Sequence, residues 1–313
     1  MSTTGEFRYL DPESISPDVN PWAKVDVDFT SYTRTARTFP VTDFRDCLGL
    51  HTSSQVRAFG TDIDIAGFAV YRAPARETSF TDDAAVRGGY YGEVEALLRA
   101  KLEPSKGKIR KVVIFDHTIR KHDPSSARQP VQSVHVDQTP KAAEARVRRH
   151  IPDPREAEEL LRGRYQLINV WRPIRHPATD FPLAVVDWRT TEPKDMVPVS
   201  LLYPVRKPGE DDDDRGKERL PSPESLASVE GYEVKGETYG VLPNENHKFY
   251  YAKDMAPEEA MFIKCFDSWS EWMPNGKKGI AALTPHTAFI DPATPEGTPG
   301  RESIEVRCLV FYE

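Results

Sequence analysis

Cysteine is scarce: Cys47, Cys265 and Cys308 are the three in 313 residues. A sparse, odd set with no pair at metal-ligand spacing argues against a disulfide scaffold and fits a reducing, cytoplasmic compartment. Long apolar runs are missing. None approaches the roughly 20 residues of a membrane span, and the polar first twenty positions lack the apolar core of a signal peptide. An excess of basic charge is absent as well. The net charge is −7 and the pI is near 5.7, which gives no electrostatic case for nucleic-acid binding. The one basic cluster, Arg146 to His150, reads as a solvated helix face. No Gly-x-Ser-x-Gly elbow, glycine-rich phosphate loop or dinucleotide fingerprint occurs. None of the three cysteines sits in an activating setting. Proline, by contrast, is abundant at 27 residues, which predicts long ordered loops around a modest core and weighs against a mainly helical protein.

The chain reads as a single domain over residues 1–313. Positions 1–40, rich in Thr, Ser, Pro and Asp, read as an extended arm lying on the body. Alternation and β-branched content predict strands at 62–71, 111–117, 132–137, 165–173, 182–188, 248–251, 260–266, 281–285 and 304–312. Val86, Tyr90, Val94, Leu97, Leu98 and Leu102 recur near a 3.6-residue period and predict an amphipathic helix over 83–102. Residues 140–163 predict two short helices across Ile151-Pro152-Asp153-Pro154. Residues 204–225 read as a mobile acidic loop, because four consecutive aspartates do not supply the alternating ligands and glycine turn of a calcium loop. The expected class is mainly β, a double-stranded jelly-roll core with helices packed outside.

The chemistry concentrates at His135-Val136-Asp137. An imidazole and a carboxylate two residues apart on a strand share one side. With one distant histidine they form a facial triad, the set that binds non-haem Fe(II) and leaves positions open. A carboxylate in so apolar a strand needs a partner, and a metal or a His–Asp hydrogen bond would each serve. The third ligand has two candidates, His247 and His286. Only His286 is followed by an arginine-bearing strand, on which Arg301, Ser303, Glu305 and Arg307 share one face. A guanidinium matches a carboxylate in bidentate geometry, so this face could anchor a carboxylate cosubstrate; a solvated edge strand is the other reading.

The segments around His135 to Gln138, Asn169 to Ile174, Lys264 to Ser268, Pro285 to Phe289 and Arg301 to Arg307 resemble the fungal AsaB-type hydroxylase/desaturase family, which is related to the CmcJ protein of cephamycin biosynthesis. The resemblance runs from about residue 110 to the C-terminus. It implies an Fe(II)- and 2-oxoglutarate-dependent oxygenase of secondary metabolism with a jelly-roll fold, consuming O₂. Carried over, His135, Asp137 and His286 are the iron ligands, and Arg301 and Ser303 hold the distal carboxylate of 2-oxoglutarate. Arg301 stands further from His286 than is usual in the wider superfamily, which keeps Arg307 as an alternative anchor. Asn169, Trp171 and Lys264 are candidate substrate contacts. The substrate is expected to be a small molecule, with amino acids such as valine among the candidates. The outcome would be hydroxylation, desaturation or ring closure, including aziridine formation. Two other classes stay open on the residues alone: a cupin-like binding protein without turnover, and a metal hydrolase or isomerase using the same ligands.

Overall fold

The computed structural model describes residues 2–45, 62–126, 128–205 and 226–313. Cys47 and most of the acidic 204–225 segment lie outside the described residues. Among those described, the strands are β1 (Thr3–Leu10), β2 (Trp22–Lys24), β3 (Arg34–Asp43), β4 (Phe68–Arg72), β5 (Ile109–Lys121), β6 (His135–Val136), β7 (Tyr165–Pro173), β8 (Leu183–Val186), β9 (Met196–Pro204), β10 (Tyr232–Val241), β11 (Phe249–Tyr251), β12 (Glu259–Asp267), β13 (His286–Ala288) and β14 (Glu302–Tyr312). They form a nine-stranded sheet, ordered β1-β3-β11-β8-β13-β6-β10-β9-β2, and a five-stranded sheet, ordered β4-β12-β7-β14-β5.

The two sheets sandwich one apolar core, in which Val136, Val186 and Phe249 of the larger sheet meet Leu167, Leu309 and Phe311 of the smaller. The outer face of the smaller sheet is covered too. There Ile168, Val170, Ile304, Val306 and Cys308 pack against Val94, Leu98 and Leu102 of the helix Tyr91–Lys106. Burial on both faces leaves every residue of β7 buried, so its sequence shows no simple apolar–polar alternation. On β14 the even positions face the helix, so the odd positions, Ser303, Glu305 and Arg307 among them, point inward to the larger sheet. This is the jelly-roll arrangement expected of the sequence.

Several elements differ from expectation. Residues 1–40 are not an arm: β1 and β3 pair antiparallel from Thr3↔Val41 to Leu10↔Arg34, and Phe7 and Tyr9 are fully buried. The Thr- and Ser-rich composition masked two strands with one apolar face. The strand expected at 62–71 begins only at Phe68. Asp62 caps a turn by accepting from Asp64 N at 2.7 Å, and Gly67 then takes a left-handed φ of 89°. Residues 281–285 approach the sheet without joining it, and the strand there is β13. Strands β9 and β10, paired over nearly their whole length, were not foreseen.

The helical expectations fare better. Tyr91–Lys106 is preceded by a π-helical turn at Val86–Tyr90 that carries the adjacent Gly88 and Gly89. The helices Pro140–His150 and Pro154–Arg162 each begin with proline behind a capping side chain, Thr139 and Asp153 respectively. No helix among the described residues is long and apolar enough to cross a membrane.

Candidate metal centre and carboxylate pocket

β6 and β13 are neighbours in the middle of the larger sheet, and their single register pair is His286↔His135. That one pairing brings together two histidines about 150 positions apart in sequence. Asp137 follows directly after β6. His135 Nε2 lies 3.4 Å and His286 Nε2 4.0 Å from Asp137 Oδ1, and the three ligand atoms lie within 4.8 Å of one another.

The hydrogen bonds around these groups fix how they face each other. His135 Nδ1 donates to Ser133 O at 2.7 Å, and His286 Nδ1 donates to Thr284 O at 3.0 Å. A carbonyl only accepts, so each neutral ring keeps its proton on Nδ1 and turns a bare Nε2 lone pair inward. Burial, followed by the neighbouring His135, pushes the His286 pKa down and favours that neutral form. With both rings neutral, two lone pairs and a carboxylate oxygen face one point. Such a set is held together by a cation at that point, so the residues fit a divalent metal.

Asp137 is prepared for the same task by its other oxygen. Oδ2 accepts from Asn169 Nδ2 on β7 at 2.8 Å and from Arg307 Nε on β14 at 3.0 Å. Burial opposes the Asp137 charge, but Arg307 beside it outweighs burial, and the carboxyl is held well below its usual range. The smaller sheet thus steadies a ligand carried by the larger one. His247, the other candidate for third ligand, lies elsewhere: its ring bonds Tyr9 Oη at 3.0 Å and Asp195 Oδ2 at 3.2 Å and is buried.

A pocket opens beside the triad, and Arg301, Ser303, Glu305 and Arg307 all line it, as the alternating face of the sequence predicts. Their roles differ. Arg307 is fully engaged, through Nε to Asp137, Nη1 to Asp116 and Thr118, and Nη2 to Glu305. Arg301 is fully buried, donates from Nη1 to Phe181 O at 2.6 Å, and leaves Nε without a partner. Its guanidinium lies over the Trp171 ring, 5.6 Å from the centroid.

Two of the three expected substrate contacts are displaced by this geometry. Asn169 does not line the pocket; its amide is engaged by Asp137. Lys264 is buried in an ionic cluster, donating to Asp64 Oδ1 at 2.7 Å and Asp267 Oδ2 at 2.8 Å. Only Trp171 reaches the pocket wall. Arg120 and Thr118, on β5, line it unforeseen. Their signal was present, since Asp116, Thr118 and Arg120 alternate with apolar or shielded positions, but the strand was read as ending at His117.

A family model described as an oxidoreductase/YMDC permease-like domain matches residues 9–311. The Fe(II)/2-oxoglutarate-dependent dioxygenase nvfI of Aspergillus novofumigatus is 33% identical over 232 residues, 74% of this chain and 69% of that protein. The hydroxylase/desaturase asaB of Aspergillus flavus is 37% identical over 161 residues, and the match spans about three fifths of its length, 60%, and 50% of this chain. A solved structure of the iron and alpha-ketoglutarate-dependent endoperoxidase NvfI superposes with a TM-score of 0.74 at 26% identity, covering 99% of this chain and 97% of that one. The chain belongs to the fungal hydroxylase/desaturase family of Fe(II)/2-oxoglutarate-dependent dioxygenases.

Proposed function

We propose that this protein is an Fe(II)/2-oxoglutarate-dependent oxygenase of secondary metabolism that oxidises an unactivated C–H bond of a small molecule. The observation that carries the reading is the convergence of His135 Nε2, His286 Nε2 and Asp137 Oδ1 beside a pocket holding an arginine whose Nε has no hydrogen-bond partner. His135, Asp137 and His286 would hold the iron, which with 2-oxoglutarate and O₂ would supply the oxidant, the 2-oxo acid being converted to succinate and CO₂.

The chain's own residues do the rest. Ser133 O and Thr284 O lock the two imidazoles in the tautomer a metal requires. Asn169 and Arg307 orient Asp137, so that Oδ1 faces the metal. Arg301 supplies a bidentate cation for the distal carboxylate of the cosubstrate, with Ser303 beside it as a hydroxyl donor. Trp171 holds the Arg301 guanidinium from the side. Substrate position then selects hydroxylation, desaturation or ring closure. An amino acid such as valine, closing to an aziridine, is one candidate pair of substrate and outcome. The free, buried Cys265 and Cys308 fit a reducing, cytoplasmic setting.

The test is succinate formation from 2-oxoglutarate with Fe(II) and O₂, first alone and then across a panel of amino acids and fungal metabolites. His135→Ala and Asp137→Ala should abolish it. Turnover under anaerobic conditions without 2-oxoglutarate would instead identify a hydrolase or isomerase on the same ligands.

A further inference from the structure

Arg120 is the one pocket arginine to which neither the triad nor its supporting bonds give a task. It lies opposite Ser303 in the β5–β14 register. Directly opposed residues of an antiparallel pair share a face, with Cβ atoms about 5 Å apart, and Arg120, Ser303 and Arg301 all line the pocket. Arg120 donates from Nη1 to Gln129 O at 3.1 Å. Neither Arg120 nor Arg301 has a carboxylate within ion-pair distance among the described residues. Glu305, the acid on the same face, already accepts from Arg307.

Two guanidiniums thus stand close enough to repel. Burial first, and Arg120 second, push the Arg301 pKa below its ordinary range. Burial likewise lowers that of Arg120. Arg307, on the same face, shows the contrasting case, with acceptors on Nε, Nη1 and Nη2. Holding two under-paired guanidiniums side by side, Arg301 buried and Arg120 half-buried, is unfavourable without an anion to bridge them.

We propose that Arg120 and Arg301, with Ser303 between them, form a two-arginine clamp for one carboxylate, the distal carboxylate of 2-oxoglutarate. This rests on the oxygenase reading above and extends it to a residue on a different strand. The clamp explains why the pocket tolerates two adjacent cations. Arg301 is held rigidly by Phe181 O and Trp171, while Arg120 closes from the neighbouring strand. A substrate carboxylate is the competing source of the same chemistry.

Anaerobic titration of the Fe(II)-loaded protein separates these cases, using 2-oxoglutarate and, as a control, 2-oxobutanoate, which lacks the distal carboxylate. Arg120→Gln should weaken 2-oxoglutarate binding roughly ten- to hundred-fold, the loss expected for a charged hydrogen bond, and leave 2-oxobutanoate binding unchanged. Arg120→Lys, which keeps charge but loses the fork, should fall between and guards against misfolding of the glutamine variant. Unchanged 2-oxoglutarate binding in Arg120→Gln and Arg120→Lys, with loss in Arg301→Gln, would overturn the clamp and leave Arg120 to a substrate anion. Equal weakening of both 2-oxo acids would also overturn it. Failure of the unmodified protein to bind 2-oxoglutarate at all would instead sink the oxygenase reading on which the clamp rests.

Discussion

Asn169→Leu should loosen the metal while leaving the pocket wall intact. Asp137 Oδ2 is held by two donors, Asn169 Nδ2 at 2.8 Å and Arg307 Nε at 3.0 Å. Leucine keeps the branched outline of asparagine but donates nothing. The loss is one hydrogen bond to a charged acceptor, worth about 1.5–3 kcal/mol. Arg307 remains, so the carboxylate stays ionised but is free to pivot. At about 1.4 kcal/mol per factor of ten, metal affinity should fall by roughly 10- to 100-fold, the range found when a partner behind a metal ligand is removed. The assay is Fe(II) titration under anaerobic conditions, with Co(II) as a spectroscopic surrogate, and circular dichroism to show that the fold persists. A substrate-contact role for Asn169 would give the opposite pattern: a raised substrate KM with metal affinity untouched. Wild-type metal affinity in Asn169→Leu would show that the Asn169 amide does not steady the Asp137 ligand.

Other outcomes follow from the same structure. Lys264→Met should destabilise the protein by roughly 3 kcal/mol, read by urea unfolding, because it strips one of the cations facing the buried Asp267 while Arg164 still holds it. Burial would raise the carboxyls of Asp64 and Asp267, but Lys264 and Arg164 outweigh it and hold both below their usual range. The unfolded chain therefore takes up protons first, near the ordinary aspartate value of about 3.9. The cluster's contribution should be complete above that pH and be lost as pH falls below it. A melting temperature that stayed flat from pH 5 to about pH 3 would contradict this. Gly67→Ala should cost more than about 1 kcal/mol, since the position has φ of 89° and a Cβ would meet Leu283 O at 2.7 Å.

Much of the site was legible because strand alternation is a strict rule. The i, i+2 spacing of His135 and Asp137, and the shared face of 301, 303, 305 and 307, survive into three dimensions unchanged. The pairing of His286 with His135 was not derivable from spacing, because strand neighbours in a jelly roll are distant in sequence; the arginine-bearing strand after His286 favoured it over His247, and the family resemblance gave the same ligand. Asn169 and Lys264 were read as substrate contacts, and both are engaged by other side chains. A polar residue inside an apolar strand signals a buried partner, and sequence does not say whether that partner is a ligand or another side chain. Arg307 shows the same ambiguity: its guanidinium bonds Asp137 and Glu305. In the fold, strands β1 and β3 were hidden by composition: threonine and serine serve turns and exposed strand faces equally.

On the proposed reading, His135, Asp137 and His286 together hold an iron that binds 2-oxoglutarate. The most direct test of this is the visible charge-transfer absorption that forms when a 2-oxo acid chelates Fe(II), recorded anaerobically. The unmodified protein should develop this band on addition of Fe(II) and 2-oxoglutarate, and His135→Ala, Asp137→Ala and His286→Ala should each fail to do so while keeping their fold. The band persisting at full intensity in all three variants would contradict the assignment.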